Sequence, residues 1–146
     1  MTTEITSKMN IHKPANEVYE AIANPEKMAN YWFSSGTARI ETGRTITWRY
    51  DEYNAEGNIK VIETEENRKI VFSWGGEGEE TLVTIQLNQQ EAGNTIVEVT
   101  ESGFKEDDPH LINKLLGQQQ GWIYMLTCLK AYLENGINTL RASLVH

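Results

Sequence analysis

Hydrophobic and polar positions alternate from the start of the chain. Across residues 5–12, Ile5, Ser7, Met9 and Ile11 fall on one face and Thr6, Lys8, Asn10 and His12 on the other, the period of a half-buried strand. Pro14 stands where a first helical turn tolerates it, and Val18, Tyr19, Ile22 and Ala23 follow at helical spacing until Asn24-Pro25 ends the run. A short helix is predicted there, with a second from about Glu26 to Asn30.

From Thr37 to about Phe104 the pattern changes to short alternating runs. Ile46, Trp48 and Tyr50 share a face; so do Ile59 and Val61, then Ile70, Phe72 and Trp74, then Val83, Ile85 and Leu87, then Val97 and Val99. Breaks fall at Glu41-Thr42-Gly43, Asp51 to Asn54, Glu65-Glu66-Asn67, Gly75 to Glu79 and Glu91-Ala92-Gly93-Asn94. Spacings this short suit about six antiparallel strands joined by hairpins and leave no room for helical crossovers. Helical period then returns, with Leu111, Leu115, Trp122, Met125, Leu126, Leu129, Tyr132 and Leu133 on one stripe. A helix from about His110 to Glu134 would be roughly 36 Å long, starting near Asp108-Pro109 and stopping at Asn135-Gly136.

An antiparallel sheet with one apolar face must cover that face, and the long helix is the element able to do so. The predicted architecture is α+β: a curved antiparallel sheet of about six or seven strands wrapped around a long C-terminal helix, with two short helices after the first strand. No repeat, linker or second domain is visible. One domain is expected over residues 1–146, with a core of about 3–136 and a tail, 137–146, that is either a loose appendage or a contact segment.

The 146 residues are 39% hydrophobic and 23% charged, and 13 basic against 21 acidic side chains leave a net charge of −8. That field repels phosphate backbones and anionic lipid head groups, so nucleic acid is not an expected partner. The lone Cys128 allows neither an internal disulfide nor a cysteine-based zinc cluster. The first residues show neither a basic nor an apolar leader region, and eighteen consecutive apolar residues occur nowhere. A cytoplasmic chain without membrane insertion is expected.

Candidate catalytic groups are sparse. His12, His110 and His146 have no metal-ligand spacing, and no Walker loop, nucleophile elbow or dinucleotide fingerprint occurs. Neither a metal, a cofactor nor a catalytic set is assigned, so binding is favoured over catalysis and enzyme activity is left open. Gly75-Gly76-Glu77-Gly78 precedes Glu79-Glu80 and a strand; its acidic side chains would repel a phosphate, so it reads as a flexible hairpin loop. Cys128 reads as a small buried hydrophobe, with no neighbouring cation or histidine to activate it. The acidic pairs Glu65-Glu66, Glu79-Glu80 and Asp107-Asp108 read as solvated turns.

The aromatic side chains are more informative. Tyr31, Trp32 and Phe33 are adjacent, and Trp48, Tyr50, Phe72, Trp74 and Trp122 belong to faces that point inward. Such rings either fill a solid core or line an apolar cavity that also orients a ligand. Gly117 and Gly121, each costing about 1 kcal/mol in a helix relative to alanine, could bring the helix close to the sheet or widen a pocket beneath it. The Val97, Val99 face continues to Glu101, and Arg39 lies on a strand of unknown facing. If internal, the two could pair or address a ligand's polar end, but the cost of burying a charge favours a surface position for each.

The order of elements resembles the START-like, birch-pollen-allergen-type helix-grip superfamily. Within it the chain looks like the branch named for the activator of heat-shock-protein-90 ATPase homologues. The residues that carry this are Pro14 to Ile22, Asn24-Pro25-Glu26-Lys27 with Tyr31-Trp32, Gly57 with Ile59 and Val61, Lys69 to Trp74, Val99 to Phe104, and above all Gly121-Trp122 through Leu129-Lys130, Tyr132-Leu133-Glu134 and Gly136. The resemblance spans residues 3–136. Where many members carry histidine in a Thr-His-x-Gly-Phe stretch, this chain has Glu101.

The resemblance implies a cavity between sheet and helix that takes a hydrophobic or amphipathic small molecule such as a lipid, sterol or polyketide-like compound. With the inward aromatic set, it nominates Trp32, Trp48, Tyr50, Phe72, Trp74, Val99, Glu101 and Trp122 as ligand contacts. The alternative is a co-chaperone-like interaction module for a heat-shock-protein-90-type ATPase or a stress response, to which the acidic charge could bring a basic partner. Cyclisation of a reactive polyketide is a third expectation, weakened by the absence of an acid/base pair.

Overall fold

In a computed structural model the structure describes residues 3–145; Met1, Thr2 and the third histidine, His146, lie outside them. The order is β1 (Glu4–Ile11), α1 (Ala15–Ala23), α2 (Pro25–Met28), β2 (Ser35–Gly36), β3 (Thr45–Tyr50), β4 (Ala55–Glu65), β5 (Lys69–Trp74), β6 (Thr81–Glu91), β7 (Asn94–Ser102) and α3 (Leu111–Asn135). The strands form one antiparallel sheet in the order β1-β7-β6-β5-β4-β3-β2. From β3 to β7 each strand pairs with its predecessor, as short hairpin breaks require, and the first strand closes onto the last, leaving β1 and β2 as the two edges.

Local chemistry explains the boundaries. The Asn24 side chain accepts the Glu26 N–H at 3.0 Å, and Pro25 opens α2; this cap starts the helix earlier than the spacing predicts, and the helix ends after one turn at Met28, short of the expected Asn30. At the far end Gly136 adopts φ +67°, and its N–H returns to the Tyr132 carbonyl at 2.8 Å. That left-handed closure costs glycine little and stops α3 where the sequence expects.

The inner face of the sheet carries Ile46 and Trp48, Ile59 and Val61, Ile70 and Phe72, Val83 and Ile85, and Val97 and Val99, all buried. The helix does not cover them evenly. Trp122, Met125, Leu126 and Leu129, from its middle onward, are buried, each contributing about 1.5–3 kcal/mol. In the first half Leu111 and Leu115 are only half-buried, while Ile112 and Leu116 are 72% and 64% exposed. The helix is anchored by its C-terminal turns, and its first turns stand off the sheet.

The helix also attends to the sheet's edge. β1 pairs only with β7, and an edge strand with open backbone groups invites pairing with other chains. The Thr6 carbonyl accepts a hydrogen bond from Gln119 Nε2 (3.3 Å) and the Asn10 carbonyl from Lys130 Nζ (2.7 Å). Just past the strand, the His12 N–H donates to Glu134 Oε2 (2.8 Å), and the same carboxylate oxygen holds Lys130 at 2.7 Å. Lys130→Met should lower the unfolding free energy by about 1 kcal/mol, the low end for a charge-assisted bond because the ammonium is part-exposed. The check is the midpoint of urea denaturation at unchanged slope.

Candidate functional site

Strand alternation delivers one carboxylate to the interior. β7 points Thr95, Val97, Val99 and Glu101 inward, and Glu101 sits in register beside Val83 of β6 and Ile5 of β1. On α3, Gln118 and Trp122 lie one turn apart on the same face. Glu101 is 1% exposed. Its Oε1 accepts Trp122 Nε1 (2.8 Å) and Gln118 Nε2 (2.9 Å), and its Oε2 accepts Trp74 Nε1 (3.0 Å) and the Thr81 hydroxyl (2.5 Å). Four donors meet the four lone-pair positions of a carboxylate.

The surface position expected for Glu101 is thus overturned, because these donors replace the water lost on burial. Arg39 is not its partner. It remains part-exposed and pairs with Glu20 at 2.8 Å.

Around Glu101 the rings interlock. Trp74 and Trp122 stack at 5.4 Å between centroids, Trp32 meets Trp48 at 4.9 Å and Trp122 at 5.5 Å, and Phe72 meets both Trp48 and Trp74 edge-on. The centre is therefore solid, and the open space lies to either side. Of the two cavities that border this cluster, the larger, of about 380 Å³, opens beneath the first turns of α3. Trp74, Thr81, Glu101 and Gln118 line its inner end, and Phe104, Leu111 and Gly117 its sides. A second cavity of about 140 Å³ lies between the tyrosine-rich end of the sheet and the chain beyond α3, and Trp74 and Gln118 line both.

Of the nominated contacts, Trp74 and Glu101 border the larger cavity, and Trp32, Tyr50, Trp74 and Trp122 the smaller. Trp48, Phe72 and Val99 lie in the packed core and line neither. Sequence reasoning did not single out Thr81, Phe104, Lys114 or Gln118. Gln118 had a signal, its spacing of four from Trp122, but it sits in a run of three glutamines where composition suggests only solvent.

Gly117 and Gly121 both border open space: a Cβ at either would meet nothing within 4 Å. Of the two roles expected, they widen cavities and do not draw the helix onto the sheet. The Gly75–Gly78 segment is the predicted hairpin loop and also forms the rim of the larger cavity. Gly75 has φ +117°, and a Cβ there would lie 2.9 Å from the Glu79 carbonyl oxygen, so only glycine fits. The mouth is laced by Lys114, which pairs with Asp108 of the β7–α3 loop and, at 3.4 Å, with Glu79 of the hairpin loop. The hydrogen bond to Asp108 pushes the Lys114 ammonium above its usual range.

Beyond α3 the chain folds back as a strap, the contact segment of the two alternatives. The Tyr124, Tyr50 and Tyr53 hydroxyls donate to the carbonyls of Leu140, Arg141 and Leu144. Arg141 lies 4.6 Å over the Tyr50 ring and donates to the Trp32 carbonyl (2.7 Å), the Ser34 hydroxyl (2.9 Å) and Glu52 (2.6 Å). That guanidinium holds the Glu52 carboxyl down at about 2, against an ordinary 4.5, whereas burial pushes the Tyr50 hydroxyl up to about 12 despite Arg141. Cys128 is buried, and burial raises its thiol. Among the described residues no three His, Cys, Asp or Glu side chains converge as a metal site, and no helix is long and apolar enough to cross a membrane.

An antiparallel sheet gripping a long C-terminal helix, with a cavity between them, defines the helix-grip class. The chain belongs to the family described as activator of Hsp90 ATPase homolog 1-like protein, whose profile matches residues 12–134. Among solved structures it is similar to protein SSP2350 from Staphylococcus saprophyticus, at 45% identity and TM-score 0.81 over 93% of this chain and 95% of that one. The Aha1 dimer from Colwellia psychrerythraea shares the fold at 21% identity and TM-score 0.79, over 92% and 98% of the two chains. DynU16, a protein of the dynemicin biosynthetic locus, shares it at 22% identity and TM-score 0.83, over 95% of this chain and 50% of that one. No curated protein matches.

Two outcomes follow from the geometry. Glu101→Leu leaves two indoles, an amide and a hydroxyl without their acceptor and should cost about 3 kcal/mol, with loss of the near-ultraviolet circular dichroism of the stacked Trp74–Trp122 pair. For the strap, Glu52 has a depressed folded-state pKa, so its contribution is present above pH 4.5 and disappears as pH falls toward about 2. Acid titration of Glu52→Gln should show a flatter stability profile across that interval than the parent chain.

Proposed function

We propose that this chain binds a hydrophobic or amphipathic small molecule in the larger cavity, beneath the first half of α3. The observation that carries this reading is the cavity itself. Its volume of about 380 Å³ falls within the roughly 300–1,000 Å³ of small-molecule sites, which combine apolar walls with a few convergent polar groups. Trp74, Phe104 and Leu111 supply apolar wall, and Thr81, Glu101 and Gln118 supply the polar groups at the inner end. Of lipid, sterol and polyketide-like ligands, a volume near the lower bound favours those with a compact body. Membership of the family and likeness to a protein of a biosynthetic locus support the same reading. The co-chaperone alternative rests on the family's name and the chain's acidity alone. We further propose that the protein works in the cytoplasm as a binder, with no reaction assigned to it.

The first turns of α3 also support the reading: Leu111, Lys114, Gly117 and Gln118 face the cavity, and Leu111 is only half-buried there. Gly117 gives a direct test. Gly117→Ala should raise stability by up to about 1 kcal/mol, since a Cβ meets nothing and alanine favours the helix. Gly117→Phe should fill the cavity. Titrated with N-phenylnaphthylamine, an uncharged apolar probe, the parent and the alanine variant should show saturable fluorescence enhancement and the phenylalanine variant little. Equal enhancement in all three, or none in any, would overturn the reading.

A further inference from the structure

The charge and donor arrangement at the inner end of the cavity selects the head group that can bind there. Resting on the small-molecule reading above, we infer that the site takes a ligand whose apolar body ends in a hydrogen-bond donor, a hydroxyl or an ammonium, and discriminates against one ending in a carboxylate.

Glu101 presents two acceptor oxygens, each holding one indole N–H and one smaller donor. The indoles of Trp74 and Trp122 are stacked on one another and wedged among Trp32 and Phe72. The smaller donors, the Thr81 hydroxyl and the Gln118 amide, both border the cavity. A hydroxyl turns about one bond and a glutamine swings on a flexible stem, so a ligand donor can take either place at Glu101 while the displaced group bonds to the ligand or to water. The exchange keeps every lone pair of the buried carboxylate occupied.

An anionic head meets the opposite situation. Each side-chain donor group at the inner end already serves Glu101, and drawing one away would leave that carboxylate under-bonded beside a second negative charge in a place with little water to screen them. The charged groups bordering the cavity are Glu79, Glu101 and Asp108 against Lys105 and Lys114, an excess of one acid. Lys114, the cation that could welcome an anion, is engaged by Asp108 and Glu79, while Lys105 is exposed and stands in the β7–α3 loop, outside the strands and helix that carry the inner end.

The test uses three probes that share one ring system and differ at the head: naphthylmethanol, naphthylmethylamine and naphthoate, titrated calorimetrically into the full chain at low and high salt. The alcohol and amine should bind, with naphthoate about tenfold or more weaker. The gap should persist at high salt, which screens the net surface charge but not a buried contact. Glu101→Gln should narrow it. If that variant fails to fold, Thr81→Val removes one donor from Glu101 Oε2 and should tighten amine binding several-fold. Naphthoate binding as well as the others, or a gap that closes with salt, overturns the inference and leaves the cavity a ligand site. Failure of all three probes to bind overturns the small-molecule reading, and the inference with it.

Discussion

A single buried carboxylate ties this fold together. Glu101 draws donors from β5, β6 and α3 to the end of β7, so the helix and three strands meet at one side chain. Hydrophobic packing alone is non-directional and would let the helix slide along the sheet. Two indole N–H groups aimed at opposite oxygens of one carboxylate fix its position and stack the rings that carry them. Burying a carboxylate without a cation is unfavourable unless each of its lone pairs finds a donor. Here all do, and the interior polarity becomes a means of alignment.

The position of the cavity follows from this. With the middle and later turns of α3 packed by Trp122, Met125, Leu126 and Leu129, and the next turn back joined to Glu101 through Gln118, the remaining N-terminal turns face the cavity across from Trp74 and Thr81. Gly117 leaves the helix wall bare there, and the two loops across the gap are held to the helix by Lys114. The larger cavity is thus a product of where the helix is anchored. Most of the aromatic residues fill the centre, and the opening is lined by Trp74, Phe104 and Leu111 together with glycine and polar side chains.

The difference between what the chain's pattern revealed and what it concealed has the same origin. Period-two runs and hairpin breaks report which way side chains point, so the strands, the inner face and the long helix were legible from residues such as Ile46, Phe72 and Leu129. The inward facing of Glu101 was legible too, as a continuation of Val97 and Val99. Its burial was not, because donors contributed by residues 74, 81, 118 and 122 come together only in three dimensions. For the same reason periodicity grouped Leu111 with Leu129 on one stripe, though one borders open space and the other is fully buried. Facing is a local property of the backbone, whereas a void depends on what fails to arrive from elsewhere.

The strap beyond α3 carries a different kind of constraint. Three tyrosines of the body hold it by its backbone carbonyls at residues 140, 141 and 144, and every residue type offers a carbonyl. Beyond Arg141 and the packing of Leu140 against the core, the strap is held by groups that any residue supplies, so the composition of its other positions is free to drift over evolution. Its length is not. The carbonyls must arrive opposite Tyr124, Tyr50 and Tyr53 after a set run from Gly136, so one inserted or deleted residue upstream of Leu140 would misalign all of them at once. The segment behaves as a ruler, tolerant of substitution and intolerant of insertion.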